Sequence, residues 1–164
     1  MDINYNKKLF SVDIRDYKRI SGKYKIGEKN GKGSEYLLLN TLVLIFEGEY
    51  SNGKRNGEGK EYYSNGQVKF KGEYLNGKKN GKGKEYINKD KLIFEGEYLN
   101  GKKNGKVKEY FNGNLIFEGE YLNGKINGKG KEYFNGNLIF EGEYLNGKRW
   151  NGKGKEYLNG NLIF

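Results

Sequence analysis

Four pairs of carboxylates spaced two residues apart, Glu47/Glu49, Glu95/Glu97, Glu118/Glu120 and Glu141/Glu143, have the make-up that acid–base hydrolysis of glycosides would use. A working pair needs two unlike environments to split the acidities of its members. These pairs are near-identical copies, each facing lysines, so they read as structural. A second candidate is Gly147-Lys148-Arg149-Trp150-Asn151-Gly152-Lys153-Gly154, which lacks only the final Ser or Thr of a phosphate-binding loop. That loop also needs a helix whose N-terminus meets the phosphate, and Lys155-Glu156-Tyr157 reads as a strand. The third is a recurring basic set, Lys54/Arg55, Lys78/Lys79, Lys102/Lys103, Lys125 and Lys148/Arg149, which would gather anions. With no Cys and no His in the chain, disulfides, zinc sites, thiol nucleophiles and histidine acid–base chemistry are excluded. No catalytic residue, metal ligand or cofactor site is assigned, and the chain is expected not to be an enzyme.

The elements that hold these residues follow from composition and period. Of 164 residues, 34% are hydrophobic and 27 are Gly, enough apolar material to fold but too little for a thick two-layer core. The formal charge of +10 favours anionic partners and solubility. The longest apolar run, residues 37–46, is broken by Asn40 and Thr41 and is far shorter than a bilayer span. The opening Met1-Asp2-Ile3-Asn4-Tyr5 has no basic and apolar leader pattern. A soluble, cytoplasmic protein is expected, with peripheral attachment to a membrane as its one membrane option.

Self-similarity decides the architecture. Gly-Glu-Tyr begins at Gly48, Gly72, Gly96, Gly119 and Gly142, and a diverged Gly22-Lys23-Tyr24 precedes them. Residues 19–164 therefore form one tandem array of about six units, and residues 1–18, with Tyr5, Leu9, Phe10, Val12, Ile14 and Tyr17, read as a cap over its first edge. In the unit 115–137, Leu115, Phe117, Gly119 and Tyr121 alternate with Ile116, Glu118 and Glu120, a period of two that marks a strand. Asn123-Gly124 suits a tight hairpin turn, residues 128–133 form the return strand, and 134–137 turn the chain into the next copy. Glycine weakens a strand, so its recurrence needs a reason: the rings of one strand are expected to lie over Gly of the next, where a missing Cβ leaves room. On the other parity, Glu118 and Glu120 face Lys129 and Lys131 in a cross-strand ladder.

Residues 46–59, Phe-Glu-Gly-Glu-Tyr-Ser-Asn-Gly-Lys-Arg-Asn-Gly-Glu-Gly, resemble the MORN (membrane occupation and recognition nexus) repeat, aromatic-x-Gly-x-aromatic-x-x-Gly-Lys-x-x-Gly-x-Gly. Departures from the pattern include Lys71 in place of the first Glu of its copy, Val107 in place of a Gly, and Trp150 as an extra residue. The resemblance implies an all-β, elongated, single-layer antiparallel sheet of hairpins that serves protein contact, self-association and lipid binding. Two strands per unit advance about 10 Å per repeat, or about 60 Å for six.

Three surfaces follow as expectations. The aromatic file Phe70/Tyr74, Phe94/Tyr98, Phe117/Tyr121 and Phe140/Tyr144, with Trp150, has no second layer to cover it and is the expected contact for a protein partner or a second copy. The basic set at the first turn of each unit forms a stripe along one edge and is the expected contact for anionic lipid headgroups, when it does more than keep the ribbon soluble. Nucleic acid is set aside, because nothing resembles a known nucleic-acid module. The apolar stretch 37–44, in a connection from Tyr36 to Phe46 that is three residues longer than its counterpart from Tyr133 to Phe140, is a further partner surface or packs on the cap. Leu162-Ile163-Phe164 opens another repeat, which leaves an edge for end-to-end association or a continuation in a longer chain, such as an accessory module of an enzyme.

Overall fold

The computed structural model describes residues 18–22, 30–39, 41–88 and 90–163. The cap expected over residues 1–18 lies outside them apart from Lys18, as do Lys23, Tyr24 and Phe164. Thirteen strands run in series: β1 (Lys18–Gly22), β2 (Gly31–Leu38), β3 (Leu42–Ser51), β4 (Lys54–Tyr62), β5 (Val68–Leu75), β6 (Lys78–Ile87), β7 (Lys91–Leu99), β8 (Lys102–Phe111), β9 (Asn114–Leu122), β10 (Lys125–Phe134), β11 (Asn137–Leu145), β12 (Lys148–Leu158) and β13 (Asn161–Leu162). Each pairs antiparallel with its sequence neighbours in one open sheet, and no helix occurs among the described residues. This is the single-layer all-β ribbon that the period of two and the Asn-Gly turns require.

The two-residue turns are tighter than the sequence reading placed them. Asn123 (φ 53°) and Gly124 (φ 86°) alone make the first turn, and Asn135 (φ 49°) and Gly136 (φ 79°) the second. Positive φ at both positions matches the right-handed twist of the flanking strands. The return strand consequently begins at Lys125, three residues before the expected Gly128. Gly128 (φ 107°) sits inside the strand, where the register shifts between Ile126 and Gly130, so it supplies the positive φ of a bulge. The apolar connection 37–44 is absorbed by longer strands: Leu37 pairs with Val43 and Leu38 with Leu42.

Residues directly opposite in a ladder share a face. Phe46 lies opposite Glu61, Gly48 opposite Gly59, and Tyr50 opposite Arg55, so rings, glycines, acids and cations occupy one face. The core is a single file on that face: Phe46, Phe70, Phe94, Phe117 and Phe140, with Tyr50, Tyr74, Tyr98 and Tyr144, none more than 5% exposed. Phe46, Phe70, Phe94 and Phe117 each meet the Tyr of the next repeat edge-on, with centroids 5.3 Å apart for Phe46–Tyr74 and 5.4 Å for Phe70–Tyr98. The floor under the rings is glycine. A Cβ added to Gly83 would stand 2.6 Å from the Phe70 ring. Val107 is the exception, a buried side chain where Gly59, Gly83 and Gly130 stand elsewhere. There the Phe94–Tyr121 separation opens to 6.5 Å and Tyr121 is only half-buried.

Candidate functional site

The ring file is roofed as well as floored, which corrects the expectation of an open aromatic face. Arg55, Lys79, Lys103 and Arg149 fold back over Phe46, Phe70, Phe94 and Phe140, with cation-to-centroid distances of 3.9, 3.7, 3.7 and 4.1 Å. Each cation also bridges the acids of adjacent repeats. Arg55 joins Glu35 to Glu61, Lys79 joins Glu61 to Glu85, Lys103 joins Glu85 to Glu109, and Arg149 joins Glu132 to Glu156. One rung differs: Ile126 replaces the cation and packs on the core. The second residue of each Lys/Arg pair therefore belongs to the fold, not to a free basic stripe. Glu132 is held below the usual carboxylate range, first by the Arg149 hydrogen bonds and then by the Tyr144 hydroxyl.

The rungs are not equivalent. Where the cation is Arg, the facing tyrosine is satisfied: Tyr50 donates to Glu35 (2.8 Å) and Tyr144 to Glu132. Where it is Lys, the buried Tyr74 and Tyr98 hydroxyls lie beside Glu61 and Glu85 without reaching good hydrogen-bond geometry. A planar guanidinium binds two carboxylates at fixed angles, whereas an ammonium is a single point charge. Lys79→Arg should raise stability by about 0.5–1.5 kcal/mol, read as a higher urea midpoint at unchanged slope; no gain would contradict this account of the roof.

On the opposite face lies an open trough of about 1310 Å³. Its walls are Lys and Glu side chains such as Lys84, Glu95, Lys106 and Glu120, and its floor includes Gly72 and Gly83. The ladder expected from sequence is present in part, with Lys84–Glu95 at 3.1 Å and Lys131–Glu141 at 3.5 Å, and with Lys131 opposite Glu118. Tyrosines close one side: Tyr62, Tyr110 and Tyr133 donate to Glu47, Glu95 and Glu118 at 2.6, 2.7 and 2.6 Å. Burial first, then the accepting carboxylate, pushes each of these hydroxyls up to about 12. The Tyr62 and Tyr110 hydroxyls, followed by Lys60 and Lys84, hold Glu47 and Glu95 below the usual carboxylate range.

A tyrosine whose folded pKa lies above its unfolded value of about 10 stabilises the fold fully below pH 10 and ceases to do so as pH rises through about 12. Stability should fall across that window, with tyrosinate absorbance and loss of the strand circular-dichroism signal rising together. Ionisation of nearly all tyrosines near pH 10 with the sheet intact would be the opposite result.

The ribbon's two edges carry what the faces leave over. Along one run the Asn-Gly turns with Lys54, Lys78, Lys102, Lys125 and Lys148, all exposed, and beside them Leu75, Leu99, Leu122 and Leu145 at 46–53% exposure. Asn56, Asn80, Asn104 and Asn127 tie this edge together, each side-chain oxygen accepting the N–H of the next turn's Asn at 3.2–3.3 Å. Along the other edge lie Ile87, Phe111, Phe134 and Leu158, exposed by 42, 65, 64 and 62%. The sequence reading missed these, having counted Phe134 in a turn. Their signal was position: Phe111, Phe134 and Leu158 each directly precede a two-residue Asn-Gly turn and Ile87 a three-residue connection, with Phe111 and Phe134 past the bulge that follows Glu109 or Glu132. Trp150 is 47% exposed, so it alone of the expected aromatic contacts faces solvent substantially. No helix among the described residues is long and apolar enough to cross a membrane, which says nothing of strands.

No curated protein matches the chain. The family model of the MORN repeat matches at residues 46–68, 70–90, 94–114 and 117–138, four tandem segments covering more than half of the sequence. With hairpins, glycine floor and aromatic file repeating in step with those segments, the chain belongs to the MORN repeat family.

Proposed function

We propose that the chain is a non-catalytic scaffold that docks another protein, or a second copy of itself, along the edge formed by Ile87, Phe111, Phe134 and Leu158. The observation that supports this is the exposure of two phenylalanines there, 65 and 64%, while the ring file is closed. Aromatic anchors carry much of the energy of protein contacts. Phe70, Tyr74, Phe94, Tyr98, Phe117, Tyr121, Phe140 and Tyr144 act in this reading by stiffening the ribbon that presents the edge. Trp150 extends the contact surface. The test is affinity capture with the wild-type chain and with Phe111→Ser/Phe134→Ser, at low and high salt, beside light scattering over a concentration series. The reading expects partners or self-association that survive high salt and are lost in the double variant. Capture and association unchanged by the variant would count against it.

A second reading, peripheral binding to acidic phospholipid, is favoured by the other edge. Leu75, Leu99, Leu122 and Leu145 stand next to Lys78, Lys102, Lys125 and Lys148, an apolar tip beside a cation at every turn. Each such cation contributes about 1 kcal/mol near an anionic surface. Cosedimentation with phosphatidylserine vesicles should then collapse between low and high salt; absence of binding at low salt removes this reading.

A further inference from the structure

The charge order along the trough breaks at one place. From β6 onward one row alternates at every step: Lys84 lies opposite Glu95, Glu95 opposite Lys108, Lys108 opposite Glu118. Across β4, β5 and β6 it does not. Lys60 lies opposite Lys71 and Lys71 opposite Lys84, while Glu58 in the neighbouring row lies opposite Glu73. Two exchanges produce this, Glu58 where the later copies have Lys82, Lys106 and Lys129, and Lys71 where they have Glu95, Glu118 and Glu141. Lys60 is taken by Glu47 and Lys84 by Glu95, both at 3.1 Å, and Lys71 between them has no ion-pair partner among the described residues. Like charges directly opposite each other destabilise a sheet. Glu73 is partly compensated, its Oε1 accepting the Lys82 backbone N–H at 3.0 Å, whereas Glu58 and Lys71 have no such partner among the described residues, and local rules are broken at functional or strained positions.

We infer that this end of the trough docks an extended segment of another protein carrying an acidic and a basic residue side by side, the acid over Lys71 and the base over Glu58 and Glu73. Successive side chains of an extended segment point to opposite sides. Laid along the trough, such a dipeptide sends one charge to each row, and the rows are two strand residues apart, about 6.8 Å. Between them residues 72 and 83 lie on the parity that points to the ring face, so only backbone separates the two rows and the segment can approach closely. Elsewhere the alternating rows repeat every two strands, about 10 Å, and present the same field at each repeat. The inversion is unique among the described strands and fixes the register of whatever lies in the trough. The acidic row argues against nucleic acid and anionic lipid here. This site is separate from the edge of Phe111 and Phe134.

The test is selection of binders from a random eight-residue peptide library on the wild-type chain. Selected peptides are then measured on Glu58→Lys/Lys71→Glu, which restores alternation, and on Phe111→Ser/Phe134→Ser. Enrichment of adjacent acid–base pairs is expected, with affinity lower by tenfold or more on the first variant and unchanged on the second. The restored ladder should also raise the Tm by about 3–6 °C. No selected peptides, binders without the charged pair, equal affinity for the restored ladder, loss of binding in the edge variant, or a lowered Tm would each overturn the inference.

Discussion

Replacing Phe70 with Ala should lower the unfolding free energy by about 3–5 kcal/mol. The ring is fully buried, meets Tyr74 and Tyr98 edge-on at 5.6 and 5.4 Å, and carries the Lys79 ammonium 3.7 Å above it. A one-layer sheet has no second layer to collapse into the gap. Removing the ring also withdraws the aromatic support of a cation that links Glu61 and Glu85 in neighbouring repeats. The control is Phe134→Ala, 64% exposed, which should stay within about 0.5 kcal/mol of wild type. Urea unfolding followed by circular dichroism separates the two; equal costs would mean that the ring file is not the core.

Gly72→Ala should cost about 3 kcal/mol or more, at or beyond the upper end of overpacking. The new methyl would meet the backbone of the adjacent strand, the Lys82 carbonyl oxygen and, at 2.6 Å, the Gly83 Cα, neither of which can rotate away. Gly83→Ala should cost less, because its nearest neighbour is the Phe70 ring, and Val107 shows how the array adapts at that position: the next tyrosine moves out. The order of the two costs, measured by the same unfolding experiment, is the informative result. A larger cost at Gly83 than at Gly72 would contradict the packing described for β5 and β6.

The fold was legible in the sequence because its determinants are local. Alternation of Phe117, Gly119 and Tyr121 with Glu118 and Glu120 fixes strand and face, and Asn123-Gly124 fixes the turn. The surfaces were less legible. Arg55 and Lys54 are adjacent in sequence; alternation puts them on opposite faces, and the register shift at Gly57 sets Arg55 opposite Tyr50, where it reaches over Phe46 while Lys54 stays at the turn. Phe134 and Phe140 look alike as residues, yet the bulge between Glu132 and Tyr133 and the turn at Asn135 leave one outside and one inside. Charge pairing across strands, and with it the inversion at Glu58 and Lys71, depends on register, which a period of 23 or 24 residues does not reveal copy by copy.

The aromatic file is the interior of a one-layer ribbon, and the proposed contacts lie outside it. Carbene or hydroxyl-radical footprinting of the intact chain, read phenylalanine by phenylalanine, tests it directly. Strong labelling of Phe111 and Phe134 with protection of Phe46, Phe70, Phe94, Phe117 and Phe140 is the result expected. Labelling of the repeat phenylalanines to the same extent as Phe111 and Phe134 would contradict it.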